Sequence, residues 1–128
     1  MDFRFGKRYK LCSQKLIDDV YSSGVHVKQY PFVVKYKLVE LQEKTPFQLV
    51  ISAPKRSFRL AVQRNRIKRL AKEAVRFNKH VLEDYLNEHN QQIALFLIFT
   101  SREEIDLKTL NRKTEKLFQT IVHQLKTL

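Results

Sequence analysis

Residues 93–99 read Ile93-Ala94-Leu95-Phe96-Leu97-Ile98-Phe99, apolar at every position. A strand with one wet face alternates polar and apolar side chains. A strand without a polar position is covered on both faces, as parallel pairing beneath helices would cover it. Seven residues fall far short of the ~20 that a membrane-crossing helix needs. The fold therefore contains a sheet with this strand inside it and helical layers outside.

The flanks supply those layers. On the C-terminal side, Leu107, Leu110, Leu117, Phe118, Ile121, Val122 and Leu125 recur at helical spacing and define an amphipathic helix. Between the two, Ser101 and Glu104 resemble a capping box, which makes capping the expected work of the Glu103, Glu104, Asp106 cluster. On the N-terminal side the polar stretch 87–92 separates the strand from a long helix over residues 57 to about 86, starting anywhere between 57 and 61. Its inner side carries Ile67, Leu70, Ala71, Ala74, Val75 and Asn78.

Residues 47–53 form another strand, closed by Pro54, and residues 42–46 a turn. Phe32, Val34, Tyr36 and Leu38 alternate along a further strand, with Val33, Lys35 and Lys37 on its other face. A short strand is expected at 25–28. Before it Ser13 caps a helix carrying Leu16, Ile17, Val20 and Tyr21, and Gly24 stands where a helix commonly ends. The order is α-β-β-β-α-β-α, one α+β layered domain over residues 1–128.

The chain has 128 residues, a common size for one domain. Its 43% hydrophobic content, with 9 Phe and 5 Tyr, is too apolar for disorder. A single cysteine excludes an internal disulfide framework. Cys12 without a partner is expected to be buried filler. Residues 1–8 contain no apolar secretory core. These features point to a soluble, cytoplasmic protein with no membrane span; nothing in them reveals self-association.

Charge carries the functional signal. With 25 Lys and Arg against 13 Asp and Glu, the net charge is +12 at pH 7, a field that attracts polyanions. Residues 55–79 hold ten basic residues and one acid, and so nine of those twelve charges. On a helix Asn65, Arg69, Lys72 and Arg76 make one stripe; Arg64 and Lys68 lie beside it and Arg66 flanks it. Like charges at i and i+4 cost helix stability, so a helix that keeps several is using the field. Arginine forks suit phosphate oxygens, and Asn65 can donate to or accept from a base edge or a 2′-hydroxyl. A polyanion docks on this helix. Arg102 lies outside the stripe.

The N-terminal segment adds Arg4, Lys7, Arg8, Lys10 and Lys15 among Phe3, Phe5 and Tyr9. Two readings of these aromatics stay open: stacking on unpaired bases, or pinning the tail to the core. Catalytic patterns are scarce. Asp18-Asp19 and Glu83-Asp84 are adjacent on helices, so their side chains diverge. The four histidines show no zinc spacing, and Gly6 and Gly24 cannot build a phosphate-cradling loop. No catalytic set and no metal ligand emerge.

Arg64-Asn65-Arg66-Ile67-Lys68-Arg69, with Ala61-Val62 before it and Lys55-Arg56 upstream, resembles the signature of the bacterial ribonuclease P protein subunit. The resemblance runs along most of the chain, through Lys7-Arg8-Tyr9-Lys10-Leu11, the helix from Leu16 to Gly24, Pro31-Phe32-Val33-Val34 and Leu49-Val50-Ile51-Ser52.

It implies an αβββαβα sandwich with a left-handed β-α-β crossover through the basic helix, against the usual right-handed rule. It also implies a partner RNA that carries out hydrolysis with its own Mg²⁺, no cofactor bound by the protein alone, and precursor tRNA as substrate. Lys55, Arg56, Arg64, Asn65, Arg66, Lys68 and Arg69 inherit an RNA-contact role, which the helical stripe extends to Lys72 and Arg76. Ile17, Tyr21 and Lys35 inherit the cleft for the 5′ leader.

Two departures stand out. Of the cleft aromatics only Tyr21 keeps a ring, and Lys35 exchanges stacking for a phosphate contact. Arg59-Leu60 replaces a common Gly-Lys, so that turn must avoid a glycine-only conformation. The rival reading is a structural RNA-binding protein of ribosomal type without a role in cleavage; a DNA-reading helix and an independent nuclease follow behind it.

Overall fold

The computed structural model describes residues 5–127. A 3-10 turn over Lys7–Tyr9 leads into α1 (Gln14–Ser23), β1 (Val25–Gln29), β2 (Phe32–Leu38), β3 (Phe47–Ser52), α2 (Ala61–Glu88), β4 (Ile93–Phe99) and α3 (Leu107–Lys126). The expected αβββαβα order is the observed one.

The strands lie in the order β1-β2-β4-β3. β2 runs antiparallel to β1 and β4, while β3 and β4 are parallel neighbours joined through α2. Register gives each face its composition. Phe32 opposite Phe99, Val34 opposite Leu97, Tyr36 opposite Leu95 and Phe47 opposite Ile93 set one apolar face, which packs under α2 and α3. The other face carries Ala94, Phe96 and Val50, and α1 covers part of it through Leu16, Ile17 and Val20. This explains the unbroken apolar run in β4: its two sides belong to two different cores.

Local chemistry fixes the element ends. The Ser13 hydroxyl accepts from the Leu16 N–H at 3.3 Å and caps α1. Gly24 ends that helix with φ −73°, a conformation open to any residue. Glycine is needed there for space: a Cβ would sit 2.4 Å from the Val20 carbonyl and 3.0 Å from that of Tyr36. β3 stops at Ser52, one residue short of the expected end, and α2 starts at the last of its allowed positions. Leu60 precedes it at φ −83°, and Asn90 is the only described non-glycine residue with positive φ, so the Arg59-Leu60 turn avoids the glycine-only region.

Two expectations are corrected. Asp106, not Ser101, caps α3, accepting from the Thr109 N–H at 3.2 Å and the Thr109 hydroxyl at 2.7 Å. Ser101 instead closes a tight loop on Glu103, upstream of the helix. Cys12 is exposed, because Leu11 is the residue of that segment that turns into the core.

The N-terminal segment runs along the β3 edge. The Leu11 N–H donates to the Leu49 carbonyl at 3.0 Å and the Gln48 amide to the Arg8 carbonyl at 2.9 Å. Phe5 stacks on Tyr9 at 4.8 Å, and Tyr9, 2% exposed, lies 5.3 Å from Phe47. Pinning the tail is thus what Phe5 and Tyr9 do; Phe3 and Arg4 lie outside the described residues.

Candidate nucleic-acid interface

Helix α2 buries Ile67, Ala71, Ala74, Val75, Asn78, Leu82 and Leu86, and their spacing turns the opposite side to solvent. Asn65, Lys68, Arg69 and Lys72 stand exposed on that side. Asn65 to Arg76 spans about 16 Å at the helical rise of 1.5 Å per residue. No carboxylate answers Asn65, Lys68, Arg69 or Lys72 among the described residues; Lys72 only approaches the Phe5 ring, at 5.8 Å. Lys55 and Arg56 are exposed in the turn that leads into the helix.

The other basic residues of the run behave differently. Arg64 donates from Nη1 to the carbonyls of Phe58 and Arg59, each at 2.8 Å, and so locks the turn before α2. Arg66 holds Glu104 with two parallel bonds, Nε to Oε1 at 2.6 Å and Nη2 to Oε2 at 2.8 Å. Arg76 grips Glu73, with Nε 3.1 Å from each carboxylate oxygen and Nη2 bonded to Oε1. These hydrogen bonds hold both glutamates below the ordinary carboxylate range. Lys79, 1% exposed, points inward: Nζ lies 3.2 Å from the Tyr9 hydroxyl and 3.4 Å from Glu83, which accepts from that hydroxyl at 2.7 Å. The rod of cations expected from spacing is therefore a mixture. Some side chains face outward and uncommitted, and others are used by the fold itself.

Tertiary structure adds a residue that spacing had set aside. β3 and β4 are parallel, so their C-terminal ends lie together. Arg56 and Ser57 after β3 meet Arg102 after β4 around a small cavity of about 270 Å³. Arg56, Ser57 and Arg102 line it, residue types whose donors suit an oxyanion. No periodicity could have paired residues so far apart in the chain. A roomier, open groove of about 1030 Å³ between the loop after β2 and the end of α2 includes Glu40, Glu43, Lys44 and Asn87 in its lining; its charges are mixed and it lacks a cation stripe.

A second surface lies between α1 and the outer face of the sheet. Tyr21 is 55% exposed and rests edge-on against Phe96 at 5.6 Å. Lys35, opposite Phe96 in register, places Nζ 3.7 Å from the centre of the Tyr21 ring and donates to the Tyr21 carbonyl at 3.1 Å. Lys37 on the same face is neutralised by Asp19 at 2.8 Å, which holds the Asp19 carboxyl below its ordinary value. Lys35 has no carboxylate partner among the described residues. Ile17 lies deeper, against the small core under α1. The three residues expected at this cleft are thus neighbours, with a cation laid over the one remaining ring.

No helix among the described residues is long and apolar enough to cross a membrane. The ribonuclease P family model matches residues 5–122. A ribonuclease P protein component from Porphyromonas gingivalis is 34% identical over 114 residues, covering 89% of this chain and 83% of its own. The fold matches the RNase P protein of Staphylococcus aureus with TM-score 0.67 at 23% identity, over 88% of this chain and 94% of that one. It matches that of Thermotoga maritima with TM-score 0.69 at 20% identity, over 87% and 96%. A family match across nearly the whole length, on a fold that presents the Arg64–Arg69 signature along one helix, shows that the chain belongs to the ribonuclease P protein family.

Proposed function

We propose that this protein is the subunit of ribonuclease P that docks the exposed face of α2 on the catalytic RNA and offers the cleft beside α1 to the 5′ leader of precursor tRNA. The observation that carries the reading is the separation of two cationic surfaces, one on α2 with the Arg56–Arg102 cavity, the other at Lys35 and Tyr21. One polyanion site would suffice for a scaffold; two sites suit a protein that holds an RNA and a substrate together.

In this reading the RNA and its Mg²⁺ carry out the hydrolysis, and the protein supplies no nucleophile. Asn65, Arg69 and Lys72 meet phosphates and base edges of the folded RNA, with Lys55, Arg56 and Lys68 alongside. Holding the leader fixes the scissile bond relative to that RNA, a gain from proximity. The surrounding carboxylates are engaged within the protein: Glu73, Glu83 and Glu104 are hydrogen-bonded to Arg76, Tyr9 and Arg66.

The test is cleavage of precursor tRNA by the catalytic RNA of the same bacterium at low Mg²⁺, with and without the protein. Stimulation is expected, weakened by Asn65→Ala and Arg69→Ala and unaffected by Lys116→Ala on α3. Absence of stimulation points to the structural, ribosomal-type protein and overturns the reading, as would cleavage by the protein alone that a carboxylate substitution abolishes. If roughly six phosphates are engaged, log K falls with log salt at a slope of about −4 to −5.

A further inference from the structure

The guanidinium of Arg66 sits inside the signature stretch, yet in the free protein it is taken. Glu104, 38 residues away on the segment before α3, holds the Nε and Nη2 edge of the fork with both carboxylate oxygens. That planar, two-donor edge is also the geometry by which arginine grips a phosphate. One edge cannot hold both anions. The pair lies at the surface, with side-chain exposures of 44% and 38%, so an incoming phosphate can reach it without unfolding any element. On the next turn of the helix Arg69 stands exposed and uncommitted, and a polyanion bound there brings further phosphates alongside Arg66.

We propose that Glu104 is an internal competitor for Arg66: the carboxylate occupies the fork in the free protein, and a phosphate of the docked RNA replaces it. The inference rests on the docking role of α2 proposed above. Polyanions that only sense the overall charge gain nothing from Arg66 while Glu104 holds it. An RNA that presents a phosphate in line with the fork does. The carboxylate thus makes contact with Arg66 depend on fit, as an unfavourable element that a correct partner overcomes.

The control is built into the chain. Glu103 is exposed, and its carboxylate makes no hydrogen bond or ion pair among the described residues. Glu104→Gln and Glu103→Gln remove the same charge at nearly the same place, and only the first releases Arg66. Affinity for the catalytic RNA, measured by filter binding or fluorescence anisotropy at fixed salt, is expected to rise about threefold more for Glu104→Gln than for Glu103→Gln, the scale of an exposed ion pair. In an Arg66→Ala background that excess disappears. Equal affinities for the two glutamine variants overturn the proposal, and so does weaker binding by Glu104→Gln, which would make Glu104 a positioning residue. Loss of fold in either variant shows in its melting curve, and Glu104→Asp then repeats the comparison with a shorter carboxylate. If Asn65→Ala and Arg69→Ala leave binding unchanged, it is the docking role that fails; if those two weaken it and Arg66→Ala does not, only the competitor fails.

Discussion

Replacing Gly24 by alanine tests how α1 is set against the sheet. The new methyl would lie 2.4 Å from the Val20 carbonyl oxygen, 3.0 Å from that of Tyr36 and 3.3 Å from the Tyr36 nitrogen. All three are backbone atoms, which cannot swing aside as a side chain would. Ordinary carbon–oxygen contacts begin near 3.3 Å, so residue 24 must shift by close to 1 Å from the Val20 carbonyl of the last turn of α1, and by about 0.3 Å from β2. Forcing a methyl into a filled site costs typically 1–3 kcal/mol, against the roughly 5–15 kcal/mol that holds a domain together. For a chain of this size the melting temperature should fall by about 3–12 °C. Opening that last turn disturbs Tyr21, whose carbonyl and ring meet Lys35, so affinity for a single-stranded leader oligonucleotide should fall while α2 still binds the catalytic RNA. Gly6→Ala is the control. A Cβ there meets nothing within 4 Å, and φ is −90°, so it should be neutral or stabilise slightly. Thermal unfolding followed by circular dichroism, with oligonucleotide titrations on both variants, decides the matter. A Gly24→Ala protein that melts with the parent, or a Gly6→Ala protein that loses as much, refutes the close-approach argument.

Three further outcomes follow from the site. Lys35→Ala should weaken leader binding and flatten its salt dependence by about one phosphate, whereas an abasic nucleotide in the leader should change the affinity of the parent protein little; a large abasic effect would show that stacking on Tyr21 dominates. Arg102→Ala should weaken binding of phosphate-bearing ligands to about the same extent as Arg56→Ala, since both face one cavity, and effects that differ widely in competition titrations would separate the two. Asp19, Glu73, Glu104 and Asp106 are held below their ordinary values of 3.8 and 4.5, chiefly by hydrogen bonds from Lys37, Arg76, Arg66 and Thr109. Folding therefore favours their ionised forms, and the stability they provide is intact above those ordinary values and lost as pH falls through the lower folded-state ones. Melting temperature should be level from pH 7 to about 5 and decline below about 4, and a profile that stays level into acid would contradict these contacts.

Much of the architecture is written in local pattern. Ser13 announces a helix start because a hydroxyl there meets an unpaired N–H whatever the remainder of the chain does. The alternation Phe32, Val34, Tyr36 and the unbroken run of β4 report burial on one face and on two, since side-chain direction along a strand has period two. The outward stripe of Asn65, Arg69 and Lys72 follows from 3.6 residues per turn in the same way. Capping of α3 was ambiguous because Ser101 and Asp106 both carry oxygens able to serve, and only the path of the chain between Phe99 and Leu107 selects one.

The cationic surface divides along the same line. Composition and spacing established that nine charges gather on one segment and that a polyanion is their natural partner. Which cations remain available was decided by the folded structure: Glu104 reaching Arg66, the turn before α2 folding its Phe58 and Arg59 carbonyls onto Arg64, Tyr9 drawing Lys79 inward, and parallel β3 and β4 bringing Arg102 beside Arg56. Helical periodicity orders residues that are a few positions apart, and it already places Glu73 beside Arg76 and Glu83 beside Lys79. The pairing of Arg66 with Glu104 and the meeting of Arg56 with Arg102 join residues dozens of positions apart, and strand register and helix packing set those distances.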